Sequence, residues 1–144
     1  MFKSIVLSMI LGASASALAF PTIPEGNYTG KGRYKDTAGH TGNYTVETSV
    51  ANGVVSQIYR YARGGARFVL TTNLTGHGFF AVMENGQKIG EGYCQSVVCH
   101  YSAVMGGANL EESLTYWQGN LYRVGSKKIG NLTISWEESL TKAK

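Results

Sequence analysis

The feature that most constrains this chain is a side-chain alternation of period two, interrupted repeatedly by two-residue turn signals. Asn27 to Lys35 puts Tyr28, Gly30, Gly32 and Tyr34 on one face and Asn27, Thr29, Lys31, Arg33 and Lys35 on the other, which is a strand with one wet side. Tyr44, Val46, Thr48 and Val50 then alternate with Thr45, Glu47 and Ser49 up to Asn52-Gly53, a strong hairpin signal. A type I′ turn there pairs Val50 with Val55, Thr48 with Gln57, Val46 with Tyr59 and Tyr44 with Tyr61, and lines the inner face with tyrosine. Asn85-Gly86 repeats the device and pairs Glu84 with Gln87, Val82 with Ile89 and Phe79 with Gly92. That register gathers Phe79, Ala81, Met83, Gly90, Gly92, Tyr101, Ala103 and Met105 in the core and turns Phe80, Glu91, Tyr93, His100 and Ser102 outward. Gly90 and Gly92 beside Tyr101 read as strand glycines under a cross-strand ring, a device for bending a sheet.

Three more strands follow Gly106-Gly107: Leu110 to Trp117, Leu121 to Lys127 and Leu132 to Leu140. The turn at Gln118-Gly119-Asn120 allows two registers, so the inner faces of Tyr116, Trp117, Tyr122 and Arg123 stay open. No segment carries an amphipathic helical period. Nine or ten tight-turned strands predict an all-β fold, an antiparallel up-and-down meander of 8–10 strands. In-strand glycines at 30, 32, 90, 92, 125 and 130 favour closure into a small barrel, which also removes the sheet edges.

Met1-Phe2-Lys3, an apolar run from Ile5 to Leu11 and the small-residue stretch Ala13 to Ala19 predict a signal peptide over 1–19, cleaved before Phe20. The apolar run is too short for a membrane span, which needs roughly 20 residues. The mature chain, 20–144, is then a single barrel domain. Losing Lys3 takes the formal charge from +4 to +3, too mild for a nucleic-acid binder. Two cysteines in an exported chain predict one disulfide: with Gln95 to Val98 as the turn, Cys94 and Cys99 face each other. Such a short loop is worth about 2 kcal/mol, so the bond would chiefly hold register. A haem attachment at Cys94-x4-Cys99-His100 fails because Cys99 and His100 point to opposite faces of a strand, and no cofactor is expected. The lysine-led leader points to a bacterial protein, periplasmic or secreted. Phe20 to Gly26 holds both prolines and reads as an unpaired arm. Asn-x-Thr at Asn27, Asn43, Asn73 and Asn131 would be glycosylation acceptors in a eukaryotic secretory route, but three of the four begin strands right after a Gly or turn, where structure alone accounts for them.

Gly26-Asn27-Tyr28-Thr29-Gly30-Lys31-Gly32 resembles the opening Gly-x-Trp-x-Gly pattern of the calycin-type barrels, which are lipocalins, fatty-acid-binding proteins and nitrobindin-like haem barrels. Tyr28 stands where those families usually carry tryptophan. The resemblance implies a cup-shaped barrel with one open mouth. It carries over no ligand: no histidine here matches a haem ligand, and no later lipocalin motif appears.

No catalytic constellation is evident. Glu111-Glu112 and Glu137-Glu138 are adjacent pairs whose members face opposite ways on a strand. His40, His77 and His100 lack metal-binding spacing, although His40 and His77 sit in Gly-rich loops that could share one barrel end. Arg60, Arg63 and Arg67 bracket a Gly-Gly turn whose amides suit an anion, against the plainer reading of a solvated charged turn. The expectation is a non-enzymatic barrel that binds a small amphipathic or apolar ligand. Tyr28, Tyr34, Tyr44, Tyr59, Tyr61, Phe79 and Tyr101 would enclose the guest, with Thr48 and Gln57 as polar contacts. The alternative is an envelope or secreted interaction protein with a side-chain-filled barrel, which uses its loops and the outward rings Phe80 and Tyr93.

Overall fold

Alternation between tight turns produces ten antiparallel strands: β1 (Gly26–Asp36), β2 (Thr41–Ala51), β3 (Val54–Tyr61), β4 (Gly64–Thr72), β5 (Gly78–Glu84), β6 (Gln87–Gln95), β7 (Val98–Met105), β8 (Ala108–Trp117), β9 (Asn120–Ile129) and β10 (Leu132–Lys142). This computed structural model describes residues 23–52, 54–61, 64–72 and 78–144, with the backbone alone for Val54 and 64–72. Each strand pairs with its sequence neighbours, and β1 also pairs with β10, so the meander closes into a barrel. The 1–19 leader lies outside the described residues.

The β2–β3 register is the predicted one, with Val50 opposite Val55, Thr48 opposite Gln57 and Val46 opposite Tyr59. The β5–β6 register is not. Glu84 does pair with Gln87, across a turn whose Asn85 and Gly86 both have positive φ, but the ladder slips by one residue between Met83 and Val82. From there Val82 meets Gly90 and Phe80 meets Gly92, so every β5 side chain beyond the bulge changes face. Phe80 and Val82 are buried, and Phe79 is 83% exposed. Gly92 is indeed a covered strand glycine, but the ring over it is Phe80, not Tyr101. Gly64 and Gly65, expected in a turn, belong to β4 and pair with Tyr61 and Arg60.

Cys94 and Cys99 are direct cross-strand partners, and their sulfurs are bonded with Cα atoms 4.1 Å apart. The turn between them is tighter than expected, because Gln95 and Val98 also pair and Ser96 takes a positive φ. The described residues fill this end of the barrel. Tyr28, Leu121 and Leu140 are fully buried there, with Val50, Val55 and Leu114 beside them. Of the arm, residues 20–22 lie outside the described residues and Gly26 already pairs with Val50 as the first residue of β1; between them Ile23 joins the core, and Tyr28 Oη donates to the Pro24 carbonyl at 2.6 Å. The opposite end, where β1 turns into β2, β7 into β8 and β9 into β10, is the mouth.

Candidate functional site

Three strands each place a charged residue on the inner, apolar face. Glu112 lies between Leu110 and Leu114 on β8, Arg123 follows Leu121 on β9, and Glu138 lies between Trp136 and Leu140 on β10. All three are buried. The open β8–β9 register closes with Trp117 opposite Asn120 and Leu114 opposite Arg123, which turns Arg123 inward and leaves Tyr122 and Trp117 exposed. Arg123 is the direct partner of Glu138 on β10, and its Nη1 donates to Glu138 Oε2 at 2.6 Å. Its Nε donates to Glu112 Oε1 at 3.0 Å, and Nη2 reaches the same oxygen.

Aromatic donors complete the shell around both acids. Tyr44 Oη donates to Glu138 Oε1 at 2.8 Å, and Trp136 Nε1 to Glu112 Oε2 at 3.2 Å. Tyr101 Oη donates to Glu112 Oε1. The long reaches depend on glycine: Tyr44 lies across Gly32 and Trp136 across Gly125, where an added Cβ would come within 2.3 and 2.6 Å of the rings. Burial raises the Glu138 pKa above the ordinary carboxylate range, and Arg123 only partly offsets this. Burial also opposes the Arg123 charge, but the acids and phenols around it, Glu112 foremost, hold its pKa well above the ordinary value. The two directions agree physically, because one guanidinium serves two acids that repel each other. Tyr44 and Tyr59 are pushed well up by burial.

From Arg123 a hydrogen-bond relay runs toward β3. Nη1 donates to Tyr59 Oη at 2.9 Å, and Tyr59 donates to Gln57 Oε1 at 2.7 Å. Arginine only donates, so Tyr59 accepts from it and donates its own O–H to the Gln57 carbonyl oxygen. Gln57 Nε2 is left buried with no partner among the described residues, as is Thr48 Oγ1.

Above this polar floor is a cavity of about 330 Å³, walled by Tyr34, Tyr44, Gln57, Tyr59, Tyr61 and Tyr101, with Trp136, Met105, Ile134 and Lys127 toward the mouth. Tyr34 packs edge-on against Tyr61 at the rim, where Tyr61 is 42% exposed. Six of the nine predicted contact residues therefore meet around one cavity. Tyr28 and Thr48 are buried below it, and Phe79 lies outside the barrel, carried there by the β5 slip. Phe79 takes the outward place predicted for Phe80 and packs on Tyr93, with ring centroids 5.1 Å apart. Arg123, Glu112 and Glu138 were not among the predicted site residues. Their signal is a charge at an inward position of an otherwise apolar alternation, three times in succession.

His40 sits in the β1–β2 turn at the mouth, 2.8 Å from Asp36. His77 itself, like Arg63 and the Arg67 side chain, lies outside the described residues. Arg60 is exposed beside Glu47 at 3.4 Å, a solvated pair.

No family model matches the chain, and no curated protein is similar to it. Solved structures share its fold, two of them as follows. The S-type phycobiliprotein lyase CPES from Guillardia theta is 9% identical with a TM-score of 0.60, over 83% of this chain and 88% of that one. Rv2717c from M. tuberculosis is 14% identical with a TM-score of 0.58, over 83% of this chain and 92% of that one. These likenesses establish a calycin-like barrel and select none of the narrower families within it. They also correct the expectation of a non-enzyme: a barrel of this architecture is named a lyase, so the fold and the want of a hydrolase motif do not argue against catalysis. A buried carboxyl with a raised pKa on a cavity wall is, besides, a group suited to proton transfer.

Proposed function

We propose that the mouth cavity binds a small amphipathic ligand between its tyrosine rings. The observation that carries this reading is the orphaned amide of Gln57, fully buried at the base of a ring-lined cavity that reaches the rim. A barrel packed only for stability would fill that space, since voids above water size are rare in cores and an unmade buried hydrogen bond is costly. The rings supply apolar contact area and their hydroxyls a polar edge, which suits a guest that is partly polar. The leader-like first 19 residues and the Cys94–Cys99 bond support an exported protein that meets its guest in the periplasm or outside the cell. Titration with the neutral fluorescent dye N-phenyl-1-naphthylamine tests the reading. One saturable site is expected, lost when Leu110→Trp fills the cavity, while absence of any enhancement would refute it.

A second reading rests on the outward pair Phe79 and Tyr93: a surface that binds an envelope or secreted protein. A pull-down that recovers a stoichiometric partner, lost on Phe79→Ser, would support it.

A further inference from the structure

Two observations narrow the guest, granted that the cavity is a binding site. The first is the direction of the relay. Because Arg123 can only donate, the chain Arg123 to Tyr59 to Gln57 runs one way, and its last member, a residue of the cavity wall, is left with an N–H that has no partner among the described residues. A donor fixed in this way selects an acceptor on the guest. The second is the charge of the floor. Arg123 is held by Glu112 on one side and Glu138 on the other, so its positive charge is already engaged by two acids. An anionic head arriving at Gln57 would meet no free buried cation among the described residues: the Arg123 guanidinium, two hydrogen bonds away, is already shared by two acids one bond further on. Lys127, the remaining cation on the wall, is partly exposed at the mouth end of β9.

We infer that the guest presents an uncharged hydrogen-bond acceptor, a carbonyl or lactam oxygen, to Gln57 Nε2, and that carboxylate guests are discriminated against at this site. The acceptor satisfies an amide that is otherwise buried without a partner, and the aromatic or aliphatic body lies between the rings of Tyr44, Tyr59, Tyr61 and Tyr101. A carboxylate loses its hydration on entry and gains repulsion from Glu112 and Glu138 in its place.

Matched probes test this at pH 7: 2-naphthamide and 2-naphthoate have the same ring system and differ in head-group charge. Each is used to displace N-phenyl-1-naphthylamine from the full chain. 2-Naphthamide is expected to compete about tenfold more strongly than 2-naphthoate, and Gln57→Leu is expected to weaken 2-naphthamide about fivefold, the size of one hydrogen bond. Equal or stronger competition by 2-naphthoate overturns the inference, as does 2-naphthamide competition that Gln57→Leu leaves unchanged. The wild-type comparison stands without the variant. If the dye binds and 2-naphthamide fails to displace it, this inference falls while the cavity reading stands; if the dye does not bind, both fall.

Discussion

The ring of Tyr44 lies flat across Gly32, its partner on β1, and reaches over that strand to donate to Glu138 on β10. A side chain at position 32 would occupy the space of the ring, since a Cβ there would come within 2.3 Å of it. Gly32→Val therefore has two costs, overpacking and a lost hydrogen bond to a buried acid, together about 3 kcal/mol. Tyr44→Phe removes the hydrogen bond alone and is expected to cost about half as much. Urea unfolding of the two variants decides this; Gly32→Val within about 0.5 kcal/mol of the parent, the range of a neutral surface change, would show that the ring is not held as described.

Arg123 is ion-paired with both buried acids, so its removal leaves two uncompensated carboxylates on one wall. Arg123→Met is expected to cost about 3–5 kcal/mol at neutral pH. The triple variant Arg123→Met, Glu112→Gln, Glu138→Gln is expected to recover most of the loss. Failure of the triple variant to recover would mean that the guanidinium acts through packing and not through charge.

How much of this was legible beforehand depended on where the information lay. The two-residue turn after Asn52 sets a register by itself, and the Val50, Thr48 and Val46 pairings follow from it. The same reasoning failed beyond Met83 because a bulge depends on how neighbouring strands must twist, and no residue type near Val82 announces it. Six cavity residues were visible as inward tyrosines and a glutamine. The acid–arginine–acid cluster was not, because Glu112, Arg123 and Glu138 come from three strands and only closure of the β8–β9 turn, with positive φ at Gln118 and Gly119, aims Arg123 inward. A carboxylate between Trp136 and Leu140 was still a visible anomaly, since an unpaired charge does not occupy an inward position.

The raised pKa of Glu138 makes stability depend on pH in a definite direction. Between the ordinary carboxylate range and the raised value, the folded barrel holds a proton that the unfolded chain has released. Stability from this group is complete below the unfolded pKa and is lost as pH rises through the folded one. Chemical denaturation across mildly acidic pH should show that decline, and Glu138→Gln should flatten it. A decline of equal slope in the variant would assign the effect to another group.

The Cys94–Cys99 bond closes a loop of a few residues, so breaking it should cost only about 2 kcal/mol. The double variant Cys94→Ser, Cys99→Ser is expected to fold. Faster amide exchange should be confined to the β6–β7 turn, near Gln95 and Val98. Complete unfolding on reduction would show that the bond carries the fold and does not merely clip one hairpin.

Three phenols of the inner wall, Tyr44, Tyr59 and Tyr101, are raised well above the ordinary value, each chiefly by burial. Beyond the ordinary phenol range the unfolded chain releases these protons and the barrel does not, so stability is retained up to that range and falls as pH climbs past it. An alkaline titration should therefore show their ionisation, read as absorbance near 295 nm, only together with loss of the β-sheet circular dichroism signal. In urea at the same pH all nine tyrosines should ionise without delay. Full, reversible ionisation of all nine while the dichroism is unchanged would mean that water reaches the polar floor freely. The hydrogen bonds from Tyr44 and Tyr101 to the buried acids would then not hold as described.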